Sequence, residues 1–186
     1  MKPVHPLAST LSDQELISQL LVRFWGDTIP EETARRVLGY WDEFRPDDLD
    51  DCSQYFKTFE NDSDELVLVS NIPYQSLCEH HLLPFFGVAH IGYIPKGKVL
   101  GLSKFGRVLD HFSKRPQLQE RLTCQLGSAI DKYLSPTGTV VILEGTHTCM
   151  SARGVLKQGA VTKTSYVSGA FKDDLNARQE VLQLLR

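Results

Sequence analysis

Apolar residues recur at helical spacing near the start of the chain and again in its middle, with alternating stretches between and after. In "LSDQELISQLLVRFWG", Leu16, Ile17, Leu20, Leu21 and Phe24 fall on one face of a 3.6-residue period. Ser12 or Asp13 stands where an N-cap belongs, and Gly26 where a helix stops. A second helix is predicted over Glu31 to Phe44, with Val37, Leu38 and Trp41 on one side. Arg45 to Asp64 reads as loop, interrupted by the aromatic pair Tyr55 and Phe56. From Glu65 the period changes. "ELVLVSNIPYQSLC" and "FFGVAHIGYIP" are rich in β-branched and aliphatic residues and predict two antiparallel strands, the second ending in the Pro95-Lys96-Gly97-Lys98 turn.

The helical period returns in "LSKFGRVLDHFSKRP", where Phe105, Val108, Leu109 and Phe112 share a face. Another helix is predicted to start near Pro116, with Leu118, Leu122, Leu126, Ile130 and Leu134 four apart. "GTVVILEGTHTCM" predicts a strand, "GAVTKTSYVSGAF" its hairpin partner, and "NARQEVLQLLR" a closing helix. Helices, two strands, two helices, two strands and a helix make an α+β protein, its antiparallel sheet covered on one face by a helix pair. The expected organisation is an N-terminal helical region over 1–64 and a sheet-bearing domain over 65–186.

Composition narrows the function classes. A 186-residue chain with 41% hydrophobic and 23% charged residues is an ordinary globular composition that needs no covalent staples. Net charge of −3 argues against a nucleic-acid surface. Acidic residues crowd "DEFRPDDLDD" and "ENDSDE", both read as solvated segments. "MKPVHPLAST" lacks the apolar core of a signal peptide, and no apolar run reaches membrane-spanning length. Cys52, Cys78, Cys124 and Cys149 have no disulfide-framework spacing. The expectation is a cytoplasmic protein with reduced thiols and no membrane partner.

Against that background "SLCEHHLLPF" stands out, because Cys78, Glu79, His80 and His81 are consecutive. The second half offers a partner in "EGTHTCMSARG": on a continued strand, His147 and Cys149 would project from the same face. Cys78, His81 and Cys149 would supply two thiolates and an imidazole, leaving a fourth position open, as a catalytic zinc requires. His80 and His147 would flank that position as general acid and base. Core filling is the competing reading for Cys149 and His147, and a cysteine nucleophile with a histidine base is also compatible with the spacing. In "GLSKFGR", Ser103 and Lys104 open a predicted helix where backbone N–H groups favour an anion, and Lys104 and Arg107 share a face. Arg153 adds positive charge four residues after Cys149. A solvated helix face is the plain alternative. Gln119-Glu120-Arg121 offers a carboxylate suited to a guanine-like N–H and amino pair, or simply an exposed helix carboxylate.

With these residues in view, the chain resembles the GTP cyclohydrolase I family from about Leu66 to the C-terminus. The resemblance rests on "CEHHLLPFFG", "GYIPKGKVLGLSKFGRV", "RPQLQERLT", "HTCMSARGV" and "FKDDLNARQEVL", in that order. It implies a T-fold: a four-stranded antiparallel sheet with a helix pair on one side, assembled as a homodecamer of two pentameric rings with sites shared between subunits. It further implies zinc held by Cys78, His81 and Cys149, with GTP as substrate. His147 would protonate the purine near N7, His80 would assist at the ribose, and Ser103 would donate or ligate there. Lys104, Arg107 and Arg153 would clamp the triphosphate, with Glu120 and Gln119 on the guanine edge. The N-terminal third departs from the family pattern: "GDTIPEETARRV" is short, and Ala34 in Thr33-Ala34-Arg35-Arg36 replaces the proline of a Thr-Pro-x-Arg motif, with Arg36 at the phosphate-contacting arginine. Two alternatives stand beside this reading: another T-fold enzyme acting on a pterin or deazaguanine, and a non-catalytic purine-binding T-fold scaffold.

Overall fold

The computed structural model describes residues 11–45 and 51–186. The chain forms two compact units, Met1–Asp48 and Leu49–Arg186. The smaller unit holds α1 (Asp13–Trp25) and α2 (Glu32–Asp42). Of the two candidate N-caps, Ser12 is the one used. Its hydroxyl accepts from Glu15 N at 3.3 Å, and the Glu15 carboxylate accepts from Ser12 N at 2.7 Å, a reciprocal capping box of the kind worth about 1 kcal/mol. Gly26, at φ 66°, stops α1 as expected. Of the loop expected from Arg45 to Asp64, residues 46–50 lie outside the described residues, as does the stretch 1–10 that was read for a leader.

The larger unit takes in residues 51–64 as well as the sheet domain. A single 3-10 turn, Ser53–Tyr55, precedes β1 (Thr58–Glu60), which pairs antiparallel with β4 (Lys98–Leu100). The main sheet runs β5-β2-β3-β6-β7. Its four long strands are β2 (Val67–Cys78), β3 (Pro84–Ile94), β6 (Gly138–His147) and β7 (Thr162–Gly169), all antiparallel as predicted. A fifth, two-residue strand was not foreseen: β5 (Pro116–Gln117) lies parallel to Leu77–Cys78. The long helix therefore begins at Gln119 rather than near Pro116.

Helices α3 (Ser103–Ser113) and α4 (Gln119–Leu134) cover one face of the sheet. The period explains the burial: Phe105, Val108, Leu109 and Phe112 from α3, with Leu122, Leu126 and Ile130 from α4, meet Ala89, Ile91, Tyr93, Val141 and Leu143 in one core. Each such buried side chain contributes about 1.5–3 kcal/mol. Helix α4 is pinned to β6 and β7 by a polar tie, because Asp131 accepts from Thr139 Oγ1 (2.6 Å), Tyr166 Oη (2.7 Å) and Ser168 Oγ (2.9 Å). Three hydroxyl donors on one carboxylate fix the helix against sliding. α6 (Ala170–Asp173) leads into α7 (Leu175–Leu184), where Phe171 and Val181 pack with Val140 in a second apolar cluster.

Close approach of α4 to β7 depends on Gly127, where any Cβ would overlap the Tyr166 ring. Gly127→Ala is expected to lose about 1–3 kcal/mol by overpacking. Gly39→Ala, on α2 with nothing within 4 Å of the new methyl, is expected to be neutral or to gain about 0.4–1 kcal/mol. Denaturant unfolding of the two variants beside the parent protein measures both; equal effects would mean that Tyr166 can move aside freely.

Candidate active site

Two chain reversals meet at one end of the sheet. After β2 the backbone folds on itself: Cys78 N donates to Leu83 O at 2.8 Å, and Cys78 O accepts from His81 N (3.2 Å) and Leu82 N (2.7 Å). This turn carries Cys78 and His81 to the same side, with Cys78 Sγ 3.8 Å from His81 Nδ1. After β6 the chain does not continue as a strand. His147 is the last strand residue, and Thr148–Ser151 forms a single helical turn, α5. The expectation that His147 and Cys149 share a strand face is therefore corrected. It is α5, anchored by Thr148 Oγ1 donating to Pro84 O at 2.6 Å, that delivers Cys149 to the cluster.

The ligand atoms of Cys78, His81 and Cys149 all lie within 4.8 Å of one another. Cys78 is buried, Cys149 half-buried and His81 exposed, so the cluster has one open side. Burial, and then the neighbouring Cys78, push the Cys149 thiol above its ordinary range. A divalent cation held between the two sulfurs would favour the Cys149 thiolate and so offset this cost. The donor set thus fits a metal ion, and His81 leaves the fourth direction accessible to solvent or substrate.

The intervening residues are held from outside the turn. Glu79 makes an ion pair with Arg121, whose Nε donates to Gln117 Oε1 at 2.8 Å. Gln117 in turn donates to Phe112 O (2.8 Å) and Gln125 Oε1 (2.7 Å). Glu79 therefore acts as a strut between the turn and α4. No local sequence signal points to this, since the partner lies 42 positions away. His80 is exposed, its ring 6.1 Å from that of His81 and nearly perpendicular to it.

His147 sits opposite Phe85 in the β3–β6 register, and the two rings stack at 4.4 Å with an interplanar angle of 5°. Burial holds its imidazole below the usual range, and the Glu120 carboxylate partly opposes this. Its Nε2 is 2.8 Å from Gln119 Oε1. Gln119, expected beside Glu120 on a guanine edge, is turned inward and only 1% exposed, whereas Glu120 is exposed.

The cationic residues divide. Arg153 is exposed, and its charge is felt at the Cys149 thiol. Ser103 opens α3, with Lys104 and Arg107 beyond it. Partial loss of solvation, then Arg107 and Lys57, hold the Lys104 ammonium below its ordinary range. Lys57 escaped sequence reasoning because only the β1–β4 pairing, with Gly101 N donating to Lys57 O at 3.1 Å, carries it there. This cluster sits at the far end of the sheet: Leu100 N donates to Tyr93 Oη, whereas Cys78 and Cys149 lie by Pro84 and Phe85. Along β3, Phe85 and Tyr93 are separated by roughly 25 Å. Arg36 is on α2 of the smaller unit, exposed and paired with Glu32 at 2.8 Å.

Among the described residues no helix is long and apolar enough to cross a membrane. The sequence pattern of the family described as GTP cyclohydrolase I matches residues 25–186. The chain is 49% identical over 158 residues to GTP cyclohydrolase 1 of Halalkalibacterium halodurans, covering 84% of each chain. It is 44% identical over 178 residues to GTP cyclohydrolase 1 of Streptococcus gordonii, covering 92% of this chain and 95% of that one. Among solved structures, the apo form of archaeosine synthase QueF-Like superposes with a TM-score of 0.46 at 22% identity, over 56% of this chain and 93% of the other. With a family match over residues 25–186 and relatives this similar, the chain belongs to the GTP cyclohydrolase I family.

Proposed function

We propose that this protein catalyses the GTP cyclohydrolase I reaction: hydrolytic opening of the GTP imidazole ring, release of formate, rearrangement of the ribose, and closure to 7,8-dihydroneopterin triphosphate. The observation that carries the reading is the Cys78/His81/Cys149 donor cluster with His147 beside it on β6. Two thiolates and an imidazole favour zinc over magnesium or calcium. Zinc bound there would supply Lewis acidity for hydrolysis at C8 of the purine.

The chain's own residues do the rest. His147, fixed by Phe85 and Gln119, exchanges the proton near N7 as the ring opens. His80, exposed beside His81, assists at the ribose, and Ser103 donates or ligates at the ribose ring. Glu120 accepts from the guanine N–H and amino groups at the exposed start of α4. Lys104, Arg107, Arg153 and Arg36 hold the triphosphate.

The donor cluster lies by Pro84 and the start of α3 by Tyr93, so a nucleotide using both in one subunit would have to run along most of β3, roughly 25 Å from Phe85 to Tyr93. The proposed site therefore takes its metal and His147 from one subunit and Ser103, Lys104 and Arg107 from a neighbour, within the homodecamer that the family resemblance implies. Free thiols at Cys52, Cys78, Cys124 and Cys149 suit a reducing, cytoplasmic compartment.

Cys149→Ala is expected to lose bound zinc and to bring both formate release and pterin fluorescence below about 1% of the parent protein. Metal analysis and the two product assays check this; turnover surviving without metal would overturn the zinc reading. A zinc-loaded, assembled protein that releases no formate from GTP would overturn the reaction itself. Subunit sharing has its own test. His147→Ala and the double variant Lys104→Ala/Arg107→Ala are each expected to be inactive alone. Co-assembled in equal amounts they should recover about a quarter of parental turnover, because a quarter of the sites draw both halves intact. No recovery would mean that both halves belong to one subunit.

A further inference from the structure

Gln119 is a buried amide whose orientation the surrounding acceptors dictate. Its Nε2 donates to Leu143 O (3.2 Å), Thr162 O (3.0 Å) and Thr164 Oγ1 (3.1 Å). Carbonyl oxygens accept and cannot donate, so the amide nitrogen must face them and Oε1 must face the other way. That other way is His147, whose Nε2 lies 2.8 Å from Gln119 Oε1. An amide oxygen offers no proton, so the hydrogen in this bond belongs to the histidine.

We propose that Gln119 is a positioning residue that holds His147 as the Nε2–H tautomer, leaving Nδ1 as the nitrogen that exchanges a proton with the substrate. The parallel Phe85 ring fixes the imidazole plane, and the Gln119 oxygen fixes its rotation within that plane. The seat is built for this amide. A Cβ at Gly145 would collide with Gln119 Oε1 and come within 2.8 Å of Tyr74 Oη, so Gly145 is part of the same device. Its polar atoms being committed inside the fold, Gln119 acts on the reaction through His147, while Glu120 beside it faces solvent. The same logic makes the tautomer-setting partner of a catalytic histidine indispensable elsewhere, where the wrong tautomer costs about 10⁴ in turnover.

The catalytic half of this inference rests on the proposed GTP reaction; the tautomer half does not, and the two are tested separately. Solid-state NMR of the zinc-loaded, full-length assembly labelled with 15N-histidine reads the ring directly, with the His147 signals assigned by their loss in His147→Asn. A protonated Nε2 with a bare Nδ1 is expected; the Nδ1–H tautomer overturns the proposal whether or not GTP is turned over. For the catalytic half, Gln119→Met keeps the volume and removes the acceptor. It is expected to lower kcat about 10²–10⁴-fold with KM for GTP within about twofold, at unchanged zinc content. Gln119→Met/His147→Ala should then be no slower than His147→Ala alone, within about threefold, since a residue acting through His147 has nothing left to act on. A raised KM with kcat retained, or losses that multiply in the double variant, would make Gln119 a contact independent of His147 and overturn the proposal.

Discussion

The site depends first on the register of β3 against β6. With Phe85 opposite His147, the two reversals that follow β2 and β6 open at the same end of the sheet, and the thiols of Cys78 and Cys149 meet although 71 positions apart. A slip of one residue would turn Phe85 and His147 to opposite faces, and the ring stack that orients the imidazole would be lost. The register is held by the alternation itself: Phe85, Ala89, Ile91 and Tyr93 must face the helices, as must Val141 and Leu143. The chemistry at the sheet end is in this sense a consequence of the core beneath α3 and α4.

Helix α4 transmits that order to the site. Its middle is locked by Asp131 and by the Gly127–Tyr166 approach, so its first turn arrives at a fixed height above the ends of β6 and β7. There the backbone switches from β5 to helix in two residues, and consecutive side chains point in opposite senses: Gln119 into the fold toward His147, Glu120 outward. Arg121, one residue further, reaches back to Glu79 in the Cys78–His81 turn. One helix start thus orients the histidine, presents a carboxylate and braces the turn. The braced groups are partly exposed, so the Glu79–Arg121 attraction is screened, and its value lies in geometry more than in stability.

Much of this was legible in the chain. Strand alternation and the four-residue apolar spacing of α4 identified the antiparallel sheet and its helix pair, because burial on one face imposes those periods. Cys78 and His81 were legible as a pair, since a tight turn brings residues three apart together. The chemistry of Cys149 is legible but its backbone is not: the β-rich run "GTVVILEGTH" masks the change to a helical turn at Thr148, which is stabilised by a long-range bond to Pro84. The inward turn of Gln119 was not legible at all. It depends on two carbonyls from β6 and β7 and on the missing Cβ of Gly145, none of them near it in sequence. β5 and the arrival of Lys57 beside Lys104 escaped for the same reason, being products of strand pairing alone.

The antiparallel sheet that joins the Cys78, His81 and Cys149 donors also separates them from the cations on α3. Each long strand carries the chain from one end of the sheet to the other, so residues flanking a strand are brought near only if a neighbouring strand returns between them. Cys78 and Pro84 flank a tight reversal and stay together, whereas Pro84 and Ser103 flank the whole of β3 and are driven apart. Helix α3 then heads back toward the Pro84 end of the sheet but presents its buried face to the core, and its basic N-terminus stays behind. Lys57, Lys104 and Arg107 consequently lie together, a clustering that raises mutual repulsion and favours an incoming anion. On the proposed reading, this separation is why the metal and triphosphate groups of one site come from two copies of the chain.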